Sequence, residues 1–234
     1  MRYKSALAAV SLLAASLTLA QPAQAAVPTA VNQATATCSL VLPARISIKA
    51  DVNYFFGKLG SNCPDTVYTA VWKSSPNATM APQGKLQFLY GNREAQFVIT
   101  GTVPHIGKVA WNPAGSATNI SGVKVATLNA TTSVIRAAST ASVIGGRKGT
   151  RTALIAAASY WRPNSDRFVA WPNRKVLLQY QEVGSTTWKG LAYVTTDSKG
   201  KATYTYFAGK SRKYRAYVAG TSSVWDDFSP LITR

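Results

Sequence analysis

The sequence predicts an all-β protein, built as two β-sandwich domains in tandem behind a cleaved leader. Three observations predict it. Polar, small-residue segments recur about every eight to twelve residues, and the runs between them are rich in Val, Tyr, Thr, Phe and Trp. Beyond the leader, no long stretch carries the 3.6-residue periodicity of an amphipathic helix. The chain is 234 residues long, enough for a leader and two domains of ordinary size.

Residues 1–25 carry the leader. MRYK supplies Arg2 and Lys4, ALAAVSLLAASLTLA is apolar, and QPAQA ends in an Ala-x-Ala site at Ala23 and Ala25. That is the three-part pattern of a secretory signal peptide, with cleavage expected after Ala25. The apolar run is short for a membrane span, and no second run of about 18 apolar residues follows. No cysteine adjoins the cleavage site, which argues against a lipid anchor. The product is therefore expected to be extracellular, secreted through the Sec pathway without a membrane span, and associated with the cell wall.

Cleavage removes two cations and no carboxylate, so the formal charge falls from +18 to +16 over 209 residues. A balance this basic attracts polyanions. Outside a cell these are wall polymers, lipid headgroups, acidic polysaccharides and free nucleic acid. The mature cysteines are Cys38 and Cys63, and export makes a disulfide between them the default. A metal site would need more ligands, and His105 is the one histidine.

The N-terminal domain is expected over residues 26–129. Its strands are placed at Cys38–Lys49, Thr66–Lys73, Lys85–Tyr90, Arg93–Thr100, Gly107–Asn112 and Val123–Asn129. FLYGNREAQF holds Gly91–Asn92, a hairpin signal. The C-terminal domain is expected over residues 130–234. Its strands are placed at Thr132–Ala138, Thr150–Ala158, Lys175–Gln181, Gly190–Thr196, Lys201–Phe207, Lys213–Ala219 and Phe228–Thr233. Seven short strands in about 100 residues is the count of an immunoglobulin-like sandwich.

Within that domain, Asp197-Ser198-Lys199-Gly200 reads as a turn. Asp bonds to backbone amides at the first turn position, and Gly supplies the left-handed conformation at the end. Calcium would want six to eight oxygens, and Asp197 has no neighbouring carboxylate. Alternation then sends Tyr204, Tyr206, Tyr214, Ala216, Val218, Val176 and Leu178 to the core, with Trp188 and Leu191 expected to plug it.

RKGTRTALIAAASYW, NRKVLLQYQEVGSTTWKGLAYVTTDSKGKATYTY and SRKYRAYVAGTSSVW together resemble the bacterial immunoglobulin-like domains of secreted Gram-positive proteins. The matching positions are Lys148, Gly149, Val176, Leu178, Gln179, Trp188, Thr195, Thr196, Asp197, Gly200, Tyr214, Arg215 and Ala216. Gln181 departs from the family, which usually carries a cation there. The resemblance covers residues 131–234. The N-terminal half is compatible with a second such sandwich but shows no motif-by-motif match. The resemblance implies spacers, adhesive modules and surface-binding domains, and it brings no catalytic residues.

Catalytic constellations are sparse. The sequence has eight carboxylates, and the adjacent pair Asp226–Asp227 would point to opposite faces of a strand. A Ser-His-Asp site would have to use His105, and no Gly-x-Ser-x-Gly elbow surrounds any serine. Phosphate loops, CxxC pairs and HExxH helices are missing from the sequence. The expectation is a non-enzymatic protein without catalytic residues, metal or cofactor. KSRKYRAY interleaves cations and aromatics as single-strand binders do, but an alternating strand gives the same letters, and export argues against nucleic acid.

The candidate ligand site lies in ASYWRPNSDRFVAWPNRK, expected to form an irregular loop from Ala158 to Lys175. Tyr160, Trp161 and Trp171 could stack on sugar rings, while Arg162, Arg167 and Arg174 could fork carboxylates or phosphates. Trp111 in VAWNPAG is a second candidate. The expected function is binding to an anionic cell-wall or extracellular polymer through a basic surface. The alternative is a carbohydrate-binding module that stacks a neutral polysaccharide on Trp161 and Trp171. A hydrolase using carboxylates brought together by the fold ranks last.

Overall fold

Both halves of the chain pair their strands in the same order, and that order defines the fold. The computed structural model describes residues 36–74, 84–100 and 106–234. The predicted leader and His105 lie outside them. Among the described residues no α-helix forms, and no helix is long and apolar enough to cross a membrane.

The N-terminal half comprises β1 (Ala36–Cys38), β2 (Leu40–Val41), β3 (Ile46–Ile48), β4 (Val52–Leu59), β5 (Ala70–Ser74), β6 (Lys85–Phe88), β7 (Glu94–Thr100), β8 (Gly107–Pro113), β9 (Ala117–Thr118), β10 (Lys124–Leu128) and β11 (Thr131–Ala137). One sheet has the order β2-β4-β7 and the other β3-β11-β8-β5-β6. A small third sheet, β1-β10-β9, flanks them. The two larger sheets share a core in which the Phe97 ring lies 5.1 Å from Trp111 and 5.5 Å from Phe55.

The segment expected as one strand, Cys38–Lys49, is broken by Pro43. Proline has no N–H for a ladder, so the chain leaves one sheet after β2 and rejoins the other as β3, parallel to β11. β4 escaped the sequence reading altogether. Its outward set, Val52, Tyr54 and Phe56, is as apolar as its inward set of Phe55 and Leu59, so no polar alternation marks it. Gly91–Asn92 turns the chain but closes no hairpin: β6 pairs with β5 and β7 with β4, so this turn carries the chain between sheets.

The C-terminal half comprises β12 (Ser139–Lys148), β13 (Arg151–Arg162), β14 (Arg167–Ala170), β15 (Lys175–Glu182), β16 (Lys189–Thr195), β17 (Lys201–Phe207), β18 (Arg212–Val218), β19 (Asp227–Phe228) and β20 (Ile232–Thr233). β13 pairs with β12, β14 and β17, while β16-β15-β18-β19 forms the facing sheet with β20 also on β18. The pairing pattern repeats between the halves: β4 pairs with β7 and β5 with β8, as β13 pairs with β17 and β15 with β18. These are the two sheets of an immunoglobulin-like sandwich, built twice in tandem.

The strand expected to open the C-terminal domain, Thr132–Ala138, forms as β11 but pairs with β8 and β3 of the N-terminal half. The first strand of the C-terminal half is instead β12, in a Ser, Ala and Gly-rich run whose weak strand propensity hid it. The two strands are separated by Ala138 alone, and Thr35–Arg234 forms one compact unit.

Cys38 and Cys63 form the expected disulfide, tying β1 to the turn after β4. On the chain-entropy estimate a ring of this size stabilises the fold by about 3 kcal/mol. In the C-terminal core, Val176, Leu178, Tyr214, Ala216 and Val218 are fully buried, and Tyr204, Tyr206 and Leu191 pack against them. Trp188 does not plug that core. It lies on the outer face of the sheet, where the Arg215 guanidinium sits 4.2 Å from its ring.

The Asp197–Gly200 turn forms as expected. The Asp197 carboxylate accepts from the amides of Lys201 at 2.9 Å and Lys199 at 2.8 Å, and the Gly200 amide donates to the Asp197 carbonyl at 2.9 Å. The Lys201 amide is the main cause that holds the Asp197 pKa below its ordinary value. A depressed carboxylate stabilises the fold above its unfolded pKa and loses that contribution as pH falls through the lower folded value. Urea midpoints of wild type and Asp197→Asn are therefore expected to differ at pH 7 and to converge as pH drops below about 4. A constant gap would show that the turn bonds act without charge.

Candidate functional site

The segment Ala158–Lys175 is not an irregular loop. β13 runs on to Arg162, a single 3-10 turn covers Pro163–Ser165, and β14 returns in register with Arg162 opposite Arg167. Asp166, in the left-handed region at φ 45°, closes this hairpin, and its amide donates to the Pro163 carbonyl at 3.1 Å. In the sequence only the short run RFVA marks this strand, and Pro163 and Pro172 flank it.

This geometry closes the two tryptophans. Trp161 and Trp171 are each 8% exposed and belong to the hydrophobic core. Phe168 stands edge-on to Trp161 at 5.3 Å, and Tyr160 lies 5.5 Å from Trp171. The Arg174 guanidinium covers Trp171 at 4.3 Å and donates to the Ala219 carbonyl at 3.0 Å. Thr196 completes the seal, donating its hydroxyl to the Trp171 carbonyl at 2.6 Å and accepting from the Arg174 amide at 2.9 Å. Tyr160, Trp171 and Arg174 are thus brought together as a packed end of the sandwich. Arg162 and Arg167 stay exposed, with Arg162 donating to the Tyr160 hydroxyl at 3.2 Å. Rings covered in this way offer no face to a sugar, which corrects the stacking role expected of Trp161 and Trp171. Trp111 is likewise in the core, with no exposed surface and its indole N–H donating to the Ser133 hydroxyl at 3.0 Å.

The carboxylates are held singly. Asp226 pairs with Arg45 at 3.2 Å, while Asp227 accepts from the Ala141 amide at 3.0 Å. Asp65 pairs with Arg93, Glu94 with Lys58, and Asp197 closes its turn. Among the described residues, no group of three or more His, Cys, Asp or Glu is placed to hold a metal.

What the fold does bring together is cationic. The β12–β13 hairpin tip carries Arg147, Lys148 and Arg151, all exposed. Arg147 reaches across to donate to the Ala208 carbonyl at 3.1 Å, and Ala208 donates back to Thr150 at 2.7 Å. Arg151 lies opposite Phe207 and stacks on its ring at 5.0 Å, though that ring is still 69% exposed. Arg234 donates to Gly145 at 2.5 Å and exchanges backbone bonds with Arg212. So the hairpin RKGTR, the turn GKSRK and the final arginine meet at one end of the C-terminal sandwich. β12 starts at the junction and reaches this end after ten residues, about 30 Å away.

One carboxylate, Glu182, enters this end. Burial pushes its pKa up, but hydrogen bonds from Lys210 and Arg212 outweigh that and hold it below the ordinary value. Its charge is spent on those two cations, at 3.1 and 3.0 Å. Arg147, Lys148, Arg151 and Arg234 form no ion pair among the described residues. The sequence shows the two basic runs but not their meeting, because they lie some sixty residues apart and only the β13–β17 pairing joins them.

No protein-family model matches this chain, and no curated protein matches it. Among solved structures, the D0-D1 domain of Intimin overlaps with 14% identity and a TM-score of 0.25, over 84% of this chain and 96% of that one. The D00-D0 domain of Intimin overlaps with 16% identity and a TM-score of 0.29, over 84% and 98%. Bovine butyrophilin does so with 8% identity and a TM-score of 0.29, over 84% and 98%. At such loose overlap the fold rests on the strand pairings themselves.

Proposed function

We propose that this is a secreted, non-enzymatic protein that attaches to an anionic extracellular or cell-wall polymer through the cationic end of its C-terminal sandwich. The observation that carries the reading is that one end of the C-terminal sandwich gathers Arg147, Lys148, Arg151 and Arg234, with Arg151 stacked on the exposed Phe207. Exposed like charges gathered at one end repel one another, so a fold gains little by gathering them unless an anion is drawn in. The tip holds an open hollow of about 340 Å³ lined by Arg147, Lys148, Arg151 and Thr205, which suits a segment of flexible polymer better than a small molecule in a closed cleft. Only Ala138 separates β11 from β12, so the N-terminal half joins this sandwich without a linker.

The test is cosedimentation with purified cell wall, intact and after its anionic polymers are stripped. The triple variant Arg147→Glu, Lys148→Glu and Arg151→Glu is expected to lose at least about tenfold in affinity at low salt and to flatten the salt dependence. Wild-type binding is expected to disappear on stripping. Equal binding by wild type and variant, or binding that survives both salt and stripping, overturns the reading.

A further inference from the structure

A second surface of different chemistry lies on the outer face of the β16-β15-β18-β19 sheet. Strand register fixes its rows. Tyr193, Leu177, Tyr217 and Phe228 stand directly opposite one another across four strands and so point to one side. Tyr193 is 70% exposed and Phe228 45% exposed, with the Tyr217 and Phe228 rings 4.5 Å apart. The row spans about 14 Å at the usual strand spacing.

The next row along the strands is Gly190, Gln179 and Arg215. Gly190 has no side chain, and a Cβ there would meet Leu177 alone, at 3.9 Å, so the face is open at this point. Arg215 is held between two rings, 4.2 Å from Trp188 and 4.4 Å from Phe228, and its Nε donates to the Gln179 amide oxygen at 2.7 Å. Its two terminal nitrogens meet no acceptor among the described residues. The row after that adds Lys213 and Gln181. None of these three rows contains a carboxylate. Desolvation by the rings lowers the Arg215 pKa, yet a guanidinium stays charged at any ordinary pH.

We propose that this face binds a carboxylated pyranose, a hexuronic-acid unit of an acidic polysaccharide. Arg215 takes the carboxylate with its free fork, Tyr193 offers its exposed ring to the sugar face, and the exposed edges of Tyr217 and Phe228 flank it. Charge complementarity selects the anion: a fixed guanidinium without a counter-ion is arranged to receive one. The aromatic row selects a ring that is flat and apolar on its faces and polar at its edge. A guanidinium clamped by two rings also loses little side-chain freedom on binding. This site is separate from the cationic tip, so either can fail alone.

The experiment uses the tip-reversed protein as background, so that nonspecific attraction is removed. Titration calorimetry compares oligogalacturonic acid with its methyl ester, which keeps the rings and loses the charge. The acid is expected to bind and the ester to bind about tenfold more weakly or not at all. Arg215→Lys, which keeps the charge but not the planar fork, and Tyr193→Ala, which removes a largely exposed ring, are each expected to weaken the acid several-fold. Unchanged far-ultraviolet dichroism and thermal midpoint in Tyr193→Ala show that its loss is local. Equal binding of acid and ester, no binding of either, or binding indifferent to both substitutions overturns the proposal. Concentration-dependent dimerisation relieved by Tyr193→Ala would also overturn it, assigning the face to a second copy of the chain.

Discussion

Gly200→Val is expected to destabilise the protein by about 4 kcal/mol, among the largest effects of any surface-turn substitution. Two independent causes add. Gly200 has φ +71°, in the left-handed region, where an L-residue pays about 1–2 kcal/mol and a β-branched one more. A Cβ at this position would also stand 2.6 Å from the Ala158 carbonyl oxygen and 3.0 Å from the Trp171 nitrogen. Both are backbone atoms and cannot swing aside. The same backbone is tied together there, the Ala158 amide donating to the Gly200 carbonyl at 2.9 Å and the Trp171 amide to the Ala158 carbonyl at 3.0 Å. A side chain would therefore pry the turn from β13 and open the packed end around Trp171. The check is the urea midpoint at constant slope, with Ser198→Ala as the exposed control expected to shift stability by no more than about 0.5 kcal/mol. A Gly200→Val midpoint close to wild type would mean that the turn relaxes freely.

Trp225→Ala is expected to cost about 3 kcal/mol and to separate the unfolding of the two halves. Trp225 sits in the loop after β18, yet its side-chain contacts belong to the other half. Its indole N–H donates to the Ile46 carbonyl at 3.0 Å, and its amide donates to the Ala137 carbonyl at 2.9 Å. Arg45 and Arg136 stack on its ring, 4.6 and 4.4 Å from the centroid. Arg45 also pairs with Asp226 and donates to its carbonyl at 2.7 Å, while the Ser139 hydroxyl donates to the Trp225 carbonyl at 2.6 Å. One residue thus joins the three elements, its side chain meeting β3 and β11 and its carbonyl the start of β12. Removing it takes away a hydrogen bond, two cation–π contacts and the cover over the buried Arg136 Nε, which has no hydrogen-bond partner among the described residues. Scanning calorimetry is expected to show one transition in wild type and two in Trp225→Ala. Trp225→Phe keeps much of the stacking without the N–H bond and should fall between. A single unshifted transition in Trp225→Ala would place the coupling elsewhere.

The sandwich architecture was legible because its signals are local. The Asp197–Gly200 turn is encoded by a carboxylate that bonds the next amides and a glycine that adopts positive φ, and Val176, Leu178, Tyr214 and Ala216 mark their inward face by alternation. The Cys38–Cys63 bridge needed only two cysteines and the expectation of export. Strands without alternation were lost: β4 because it is apolar on both sides, β12 because Ala, Ser and Gly carry weak strand preference.

The open aromatic face expected of Trp161 and Trp171 failed to form for a physical reason of the same kind. Residue type shows that Trp161 and Trp171 are aromatic, but whether a ring is buried depends on what lies across from it, and here Phe168, Tyr160 and Arg174 cover them. Conversely, Arg147, Arg151, Phe207 and Arg234 are unremarkable where they stand in the chain. So are Tyr193, Tyr217 and Phe228. By itself the sequence determined the β class, the basic balance, the disulfide and the turn chemistry, all set by neighbours along the chain. Only the tertiary structure decided which aromatics face out and which cations meet, because strand register places side by side residues that the sequence keeps tens of positions apart.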